Sequence, residues 1–178
     1  MHDHRGATIW LTGLSGAGKT TLAEGAAERL KGEGRRVVVL DGDEMRRRVS
    51  RELGFSQEDR DTNVRRIGFL ARLLAENGVY CLVSVIAPYA FSRAAVRAEH
   101  RQHGATYLEV HVAAPVEVCA ARDVKGLYAR QAAGELTGLT GVDDPYEAPA
   151  EPDLRIDTDR ESVRTSVERL CGLIAAEA

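Results

Sequence analysis

Apolar positions along the chain follow two spacings in alternation. Short runs rich in β-branched residues lie at about 7–12 (Ala7-Thr8-Ile9-Trp10-Leu11-Thr12), 36–40, 79–85, 106–112 and 154–156, and each predicts a strand. The run 79–85 is apolar enough for a central parallel strand. Between the runs, apolar residues recur every three or four positions. Leu22, Ala26 and Leu30 predict a helix over about 18–32. A helix with Arg46, Arg47 and Arg48 follows the second strand, and Gly54-Phe55-Ser56 breaks it. Ser56, with Asp59 three residues on, has the pattern of a capping box, and opens a long helix striped by Val64, Ile67, Ala71 and Leu74 that Asn77-Gly78 closes. Further helices are predicted from about Phe91 to His103, from Pro115 through Val118 and Ala121, and over about 161–176 on Val163, Val167, Leu170 and Ile174. Strands alternating with helices give an α/β fold, a parallel sheet of about five strands with helices on both faces.

Arg122 to Pro149 departs from the alternation. It holds Gly126, Gly134, Gly138, Gly141, Pro145 and Pro149, with charges throughout and little core. A stretch of that kind inside a compact domain is usually functional or disordered. It reads as a lid over about 122–149, with a short helix near Tyr128–Ala133, in a single domain spanning 1–178.

The first strand runs into Gly13-Leu14-Ser15-Gly16-Ala17-Gly18-Lys19-Thr20, which fits G-x-x-x-x-G-K-[ST], a phosphate-binding loop between strand and helix. The glycines let several backbone N–H groups point at one phosphate, and the helix N-terminus adds favourable potential. Gly13, Ser15, Gly16, Ala17, Gly18, Lys19, Thr20 and Thr21 are therefore the expected ATP-binding positions, with Lys19 on the β- and γ-phosphates and the Thr20 hydroxyl on Mg²⁺. The sheet thus reads as that of a P-loop NTPase of nucleotide-kinase type.

Composition narrows the class. The chain has 178 residues, 44% hydrophobic and 29% charged, with a net charge of −3, which argues against a general nucleic-acid or membrane binder. No apolar run reaches the ~20 residues of a membrane span. The segment from Met1 to Gly6 has no apolar stretch of signal-peptide type. Cys81, Cys119 and Cys171 are unclustered and lie in apolar segments, as reduced core cysteines of a cytoplasmic protein do. His2, His4, His100, His103 and His111 show no metal-ligand spacing.

The third predicted strand ends in Ser84-Val85-Ile86-Ala87 with no carboxylate. The carboxylates fall at Asp41 and Asp43, at the end of strand two, which in a parallel sheet faces the same crevice as the phosphate loop. Asp41 is the candidate for Mg²⁺ contact through water or for accepting the substrate hydroxyl proton. Asp43 orients the acceptor, caps the next helix, or does both. Arg46, and then Arg60 and Asn63 on one helix face, follow with Phe55 in the break between helices. Each arginine alone would be a solvated charge. Together they suggest an anionic, aromatic acceptor.

With these residues the chain resembles the adenylylsulfate kinases. The matching text is Thr12 to Thr21, Asp41-Gly42-Asp43, Leu53-Gly54-Phe55-Ser56, Asp59-Arg60 and Asn63-Val64-Arg65-Arg66. In the lid it is Arg122-Asp123-Val124-Lys125-Gly126-Leu127-Tyr128, Gly134-Glu135, Thr140-Gly141 and Asp144-Pro145-Tyr146-Glu147. The resemblance implies transfer of the ATP γ-phosphoryl group to the 3'-hydroxyl of adenosine 5'-phosphosulfate (APS), with Mg²⁺. It implies that Lys19, Asp41 and Asp43 serve catalysis and that Thr20 and Asp41 serve the metal. Asp43, Arg46, Phe55, Arg60, Asn63, the backbone at Ile86-Ala87, Lys125, Gly138 and Leu139 would hold APS, with Phe55 stacked on its adenine, and Arg122 would lie near the adenine of ATP. It further implies a homodimer, in some members associated with ATP sulfurylase. Two positions depart from the family. Ala87 stands where a serine assigned a phosphorylated-intermediate role is common, which points to direct in-line transfer, and Leu139 stands where a phenylalanine is common. Another small-molecule kinase of this fold, which would keep Lys19, Thr20 and Asp41 but need no Phe55, Arg60 and Asn63 set, is one alternative; a non-catalytic nucleotide-binding module, favoured only by Ala87 and opposed by Asp41, Asp43 and the lid, is the other.

Overall fold

A computed structural model describes residues 6–177. His2 and His4, and the start of the chain to Arg5, lie outside the described residues. The strands β1 (Ala7–Thr12), β2 (Val37–Asp41), β3 (Tyr80–Ser84), β4 (Thr106–Ala113) and β5 (Leu154–Asp157) form one parallel sheet in the order β2-β3-β1-β4-β5. The expected five-stranded α/β fold is what forms.

Strand β1 lies between β3 and β4 and is buried along its whole length. Ile9 and Leu11 face one core, shared with Leu22, Ala26 and Leu30 of α1 (Lys19–Gly32) and Leu170 and Ile174 of α7 (Val163–Ala176). Trp10 faces the other, shared with Val64, Ile67 and Ala71 of α3 (Gln57–Glu76) and Val96 of α4 (Ala90–Gln102). Alternate residues of one strand thus seal both helical layers, as a doubly covered parallel sheet requires. Gly68 lets α3 and α4 touch, since a Cβ there would stand 2.7 Å from a Val96 methyl.

Several expectations are corrected. Strand β2 runs to Asp41, and Asp41, not Asp43, caps the helix α2 (Gly42–Arg48): its side chain accepts from the N–H groups of Asp43 and Glu44. Ser56 caps α3 by accepting from Asp59 N–H, but the Asp59 carboxylate turns to Gly54 N–H, so the capping box is half made. Leu74 is half-buried, and Val163, one residue inside α7, is exposed. The stretch from Arg122 to Pro149 has more core than expected. It includes the end of α5 (Val116–Arg122) and α6 (Leu127–Ala132), and buries Tyr128, Leu139 and Thr140. Its turn at 138–144 is closed by Asp143, which accepts from Gly138 and Leu139 N–H, and by a bridge between Thr140 and Asp144.

The three cysteines are buried and free, and burial pushes the Cys81 thiol up to about 12. His100 bonds Thr8 and the Val96 carbonyl, and His103 the Glu99 carbonyl, as structural histidines do. Among the described residues no group of three or more His, Cys, Asp or Glu gathers as a metal site, and no helix is long and apolar enough to cross a membrane.

Candidate active site

The C-terminal ends of β1, β2 and β3 open into a cleft of about 1090 Å³. Its walls bring together Ser15, Gly16, Gly18, Lys19, Thr20 and Thr21 of the phosphate loop, Asp41 and Asp43, the set Arg46, Phe55, Arg60 and Asn63, the Ile86-Ala87 backbone, Arg122, Lys125, and the turn with Gly138 and Leu139. Of the residues expected in the site only Gly13 and Ala17 do not line the cleft; both are part of the loop's buried base.

The loop's shape depends on glycine where the backbone turns left-handed. Gly16 has φ 81° and Gly18 φ 102°, and a Cβ on Gly16 would press on the Cys119 carbonyl at 3.0 Å. The loop is braced from behind. Tyr128 donates its hydroxyl proton to the Ser15 carbonyl at 2.8 Å. Arg122 donates to the Gly16 carbonyl at 3.1 Å and to the Thr158 carbonyl at 2.8 Å, and the Thr158 hydroxyl donates to the Ala17 carbonyl at 2.7 Å. Thr158, just past β5, is a brace that sequence reasoning missed; no motif marks it.

Lys19 is 8% exposed and donates to the Gly13 and Leu14 carbonyls at 2.9 and 2.8 Å. Burial, and then the like charge of Lys125, lower its pKa from 10.5 to about 8. An ammonium so placed is held ready for negative charge. The Thr20 hydroxyl stands 3.3 Å from Asp41 Oδ2 and 3.0 Å from the Ser84 hydroxyl. One Asp41 oxygen caps α2, leaving the other toward Thr20. Three hard oxygen donors at the mouth of a phosphate loop fit Mg²⁺, which is held by few protein ligands plus phosphate and water. Ser84 was passed over in the sequence; the register that pairs it with Asp41 puts it there.

The opposite wall is cationic. Phe55 is 70% exposed at the break between α2 and α3, with the Arg46 guanidinium 4.4 Å from its ring centre. Burial and the neighbouring Arg60 charge lower the Arg46 pKa, a mark of crowded positive potential. Arg46 donates to the Gly54 carbonyl at 2.7 Å. Arg60 is 8% exposed and ties α3 to the turn above the cleft. Its Nε donates to the Phe55 carbonyl, Nη1 to the Thr140 hydroxyl and Nη2 to the Gly138 carbonyl, at 2.8, 2.6 and 2.7 Å, and Nη2 lies 3.1 Å from Asp144. Asn63 is buried, and its Oδ1 has no hydrogen-bond partner among the described residues. Lys125 pairs with Asp43, joining the base of the lid segment to α2. Ala87 is buried with φ 45°, left-handed although not glycine.

This arrangement has counterparts. The family model for adenylylsulphate kinase matches residues 5–157. The adenylyl-sulfate kinase of Picosynechococcus sp. is 52% identical over 168 residues, 94% of this chain and 93% of that protein. The probable adenylyl-sulfate kinase of Synechocystis sp. is 54% identical over the same shares. Among solved structures, the Mycobacterium tuberculosis APS kinase in complex with AMPPNP and APS is similar with a TM-score of 0.93 and 43% identity, covering 96% of this chain and 98% of that one. A gluconokinase from Sinorhizobium meliloti, 18% identical with a TM-score of 0.57 and covering 98% of both chains, shares the fold alone.

Proposed function

Because the chain belongs to the adenylylsulfate kinase family, we propose that its cleft performs that family's reaction with the residues in the following roles. It transfers the γ-phosphoryl group of ATP to the 3'-hydroxyl of APS, giving 3'-phosphoadenosine 5'-phosphosulfate and ADP. The observation that carries the assignment of roles is the single cleft in which the phosphate loop faces Phe55, Arg60 and Asn63.

The loop N–H groups and Lys19 hold the triphosphate, and Arg122 and Thr158 mark the purine end of ATP. Thr20 and Asp41, with Ser84 behind them, are the residues that would hold Mg²⁺, which neutralises phosphate charge when bound. Phe55 stacks on the APS adenine, and the Asn63 amide oxygen, buried and without a partner among the described residues, waits for a donor from the acceptor. Arg46 offers positive charge to the phosphosulfate. Arg60 serves the same end, and its bonds to Gly138, Thr140 and Asp144 also hold the turn of 138–144 down as a lid, excluding water from the transferable phosphoryl group. Asp43, set by Lys125, lies at the acceptor side as the group that orients the 3'-hydroxyl and accepts its proton. With alanine at 87 the phosphoryl group passes in-line from ATP to APS.

The setting is cytoplasmic and the working unit a homodimer. Three buried free thiols support the first. Support for self-association is the hexameric APS kinase from Thiobacillus denitrificans, of which this chain covers 30% at 37% identity. A standing association with ATP sulfurylase is the further partner this reading admits. The test is a coupled ADP-release assay with and without APS. Turnover that depends on APS is expected; nucleotide binding without turnover would refute the reading.

A further inference from the structure

Apart from the residues given roles above, one buried cation joins three segments that meet on the acceptor side of the cleft. Arg93, on α4, is 3% exposed. Its Nε donates to Glu109 of β4 at 3.1 Å, its Nη1 to the Ala87 carbonyl at 2.7 Å, and its Nη2 to the Glu147 carbonyl at 2.6 Å. Glu147 locks the same junction twice more: its N–H donates to the Pro88 carbonyl at 2.8 Å, and its carboxylate accepts from Ala90 N–H at 2.6 Å. Just beneath, the Thr12 hydroxyl donates to the Ile86 carbonyl at 2.5 Å and meets the Tyr146 hydroxyl at 3.1 Å. The loop that lines the cleft at Ile86, Ala87 and Pro88 is thus bound to the far end of the lid segment, and Arg93 is the centre of the junction.

We propose that Arg93, oriented by Glu109, is a positioning residue for the acceptor: it fixes the Ile86–Ala87 backbone against which APS is placed and couples that backbone to the lid. Three features carry this. The guanidinium is planar, so donors committed to Glu109, Ala87 and Glu147 set three segments in one fixed relation. The charge is buried and paired with a carboxylate that is itself nearly buried, so the relation does not loosen in water. Ala87 holds φ 45°, a conformation an L residue keeps only when its surroundings hold it, and its carbonyl is the atom Arg93 grips. A purely structural ion pair looks different. Arg72, 6% exposed, pairs with Glu76 of its own helix α3 and with Glu99 of α4, and neither carboxylate lines the cleft.

The inference rests on the reading of this cleft as an APS site, so wild-type turnover is measured first. No APS-dependent turnover in the wild type would sink that reading before any variant is made. Given turnover, steady-state kinetics are compared for Arg93→Lys, Glu147→Ala and Arg72→Lys, with the melting temperature of each. Arg93→Lys keeps the charge beside Glu109 but cannot hold both carbonyls. It should raise KM for APS about 10- to 100-fold, as displacements of roughly an ångström do, and leave KM for ATP within about twofold. Glu147→Ala should move the same ratio in the same direction by less. Arg72→Lys should lower the melting temperature without changing the ratio. An unchanged ratio in Arg93→Lys, or an equal loss for both substrates, overturns the proposal. Should Arg93→Lys not fold, Glu147→Ala decides by the same criterion.

Discussion

The Lys19 ammonium makes nucleotide affinity depend on pH in a direction the structure dictates. Its folded pKa of about 8 lies below the 10.5 of an exposed lysine because the group is buried and Lys125 repels it. That lowering corresponds to a cost on the order of 3 kcal/mol for keeping the charge in the folded protein. Below pH 8 both folded and unfolded chains carry the proton, and the folded one bears the whole cost. Between the two values the unfolded chain binds more protons, so this group makes stability rise with pH across that window. Binding ATP reverses the sign. Phosphate charge next to Nζ restores the ammonium, so the complex keeps a proton that the free protein sheds above pH 8. ATP affinity is therefore fullest below pH 8 and should fall by up to about tenfold per pH unit above it. Calorimetry of ATP binding in two buffers of different ionisation enthalpy measures this directly. Proton uptake should be near zero at neutral pH and approach about one proton by about pH 9. Lys19→Met, which keeps the length and loses the charge, should bind weakly and show neither the slope nor the uptake. Uptake absent from the wild type, or an identical slope in Lys19→Met, would refute the placement of this ammonium against phosphate.

Arg60→Ala removes bonds to Phe55, Gly138 and Thr140 and the Asp144 pair; with charged bonds worth about 1.5–3 kcal/mol each and partial resolvation, KM for APS should rise about 100-fold. ATP binding measured in the same titrations should stay nearly constant, and an equal loss for both would put Arg60 on the wrong side of the site. Leu139→Phe restores a ring facing the cleft and should tighten APS by about fivefold, the equivalent of about 1 kcal/mol of stacking; calorimetry that finds APS weakened would show that no acceptor ring reaches residue 139. Denatured-protein mass spectrometry after incubation with ATP should find no phosphorylated residue in the loop after β3, and a stable phosphoprotein there would contradict in-line transfer.

How far the sequence carries this structure depends on how local the cause is. Strands and helices follow from spacing: Ile9 and Leu11 against Trp10 already declare a strand buried on both faces. The phosphate loop is legible because its glycines and Lys19 act within eight residues of one another. Other features follow from strand order, which periodicity does not contain. Ser84 reaches Thr20 only because β3 inserts between β2 and β1, and Thr158 reaches Ala17 only because β5 closes the sheet beyond β4. Arg60 could be placed in the site from its neighbours, but not its commitment to a turn 80 residues away. That Asp41 rather than Asp43 caps α2 has a related cause. A strand one residue longer than its apolar run hands the cap to the first carboxylate and frees the second for the cleft.

The same distinction bears on Ala87. A missing hydroxyl where the family resemblance leads one to expect serine would suggest a lost step, if the side chain were what that position supplied. Here the side chain is buried, and the loop is gripped by its carbonyls: Ile86 by Thr12, Ala87 by Arg93, Pro88 by Glu147. What holds this loop at the edge of the cleft is its backbone, and those bonds need no hydroxyl at residue 87. The left-handed φ at Ala87 then becomes the property to test. Ala87→Gly removes the penalty of that conformation and should raise stability by up to about 1 kcal/mol in urea unfolding, while leaving turnover with APS in place. If activity instead vanished while the fold persisted, the methyl group itself would be what the acceptor rests on, and the backbone account of this loop would be wrong.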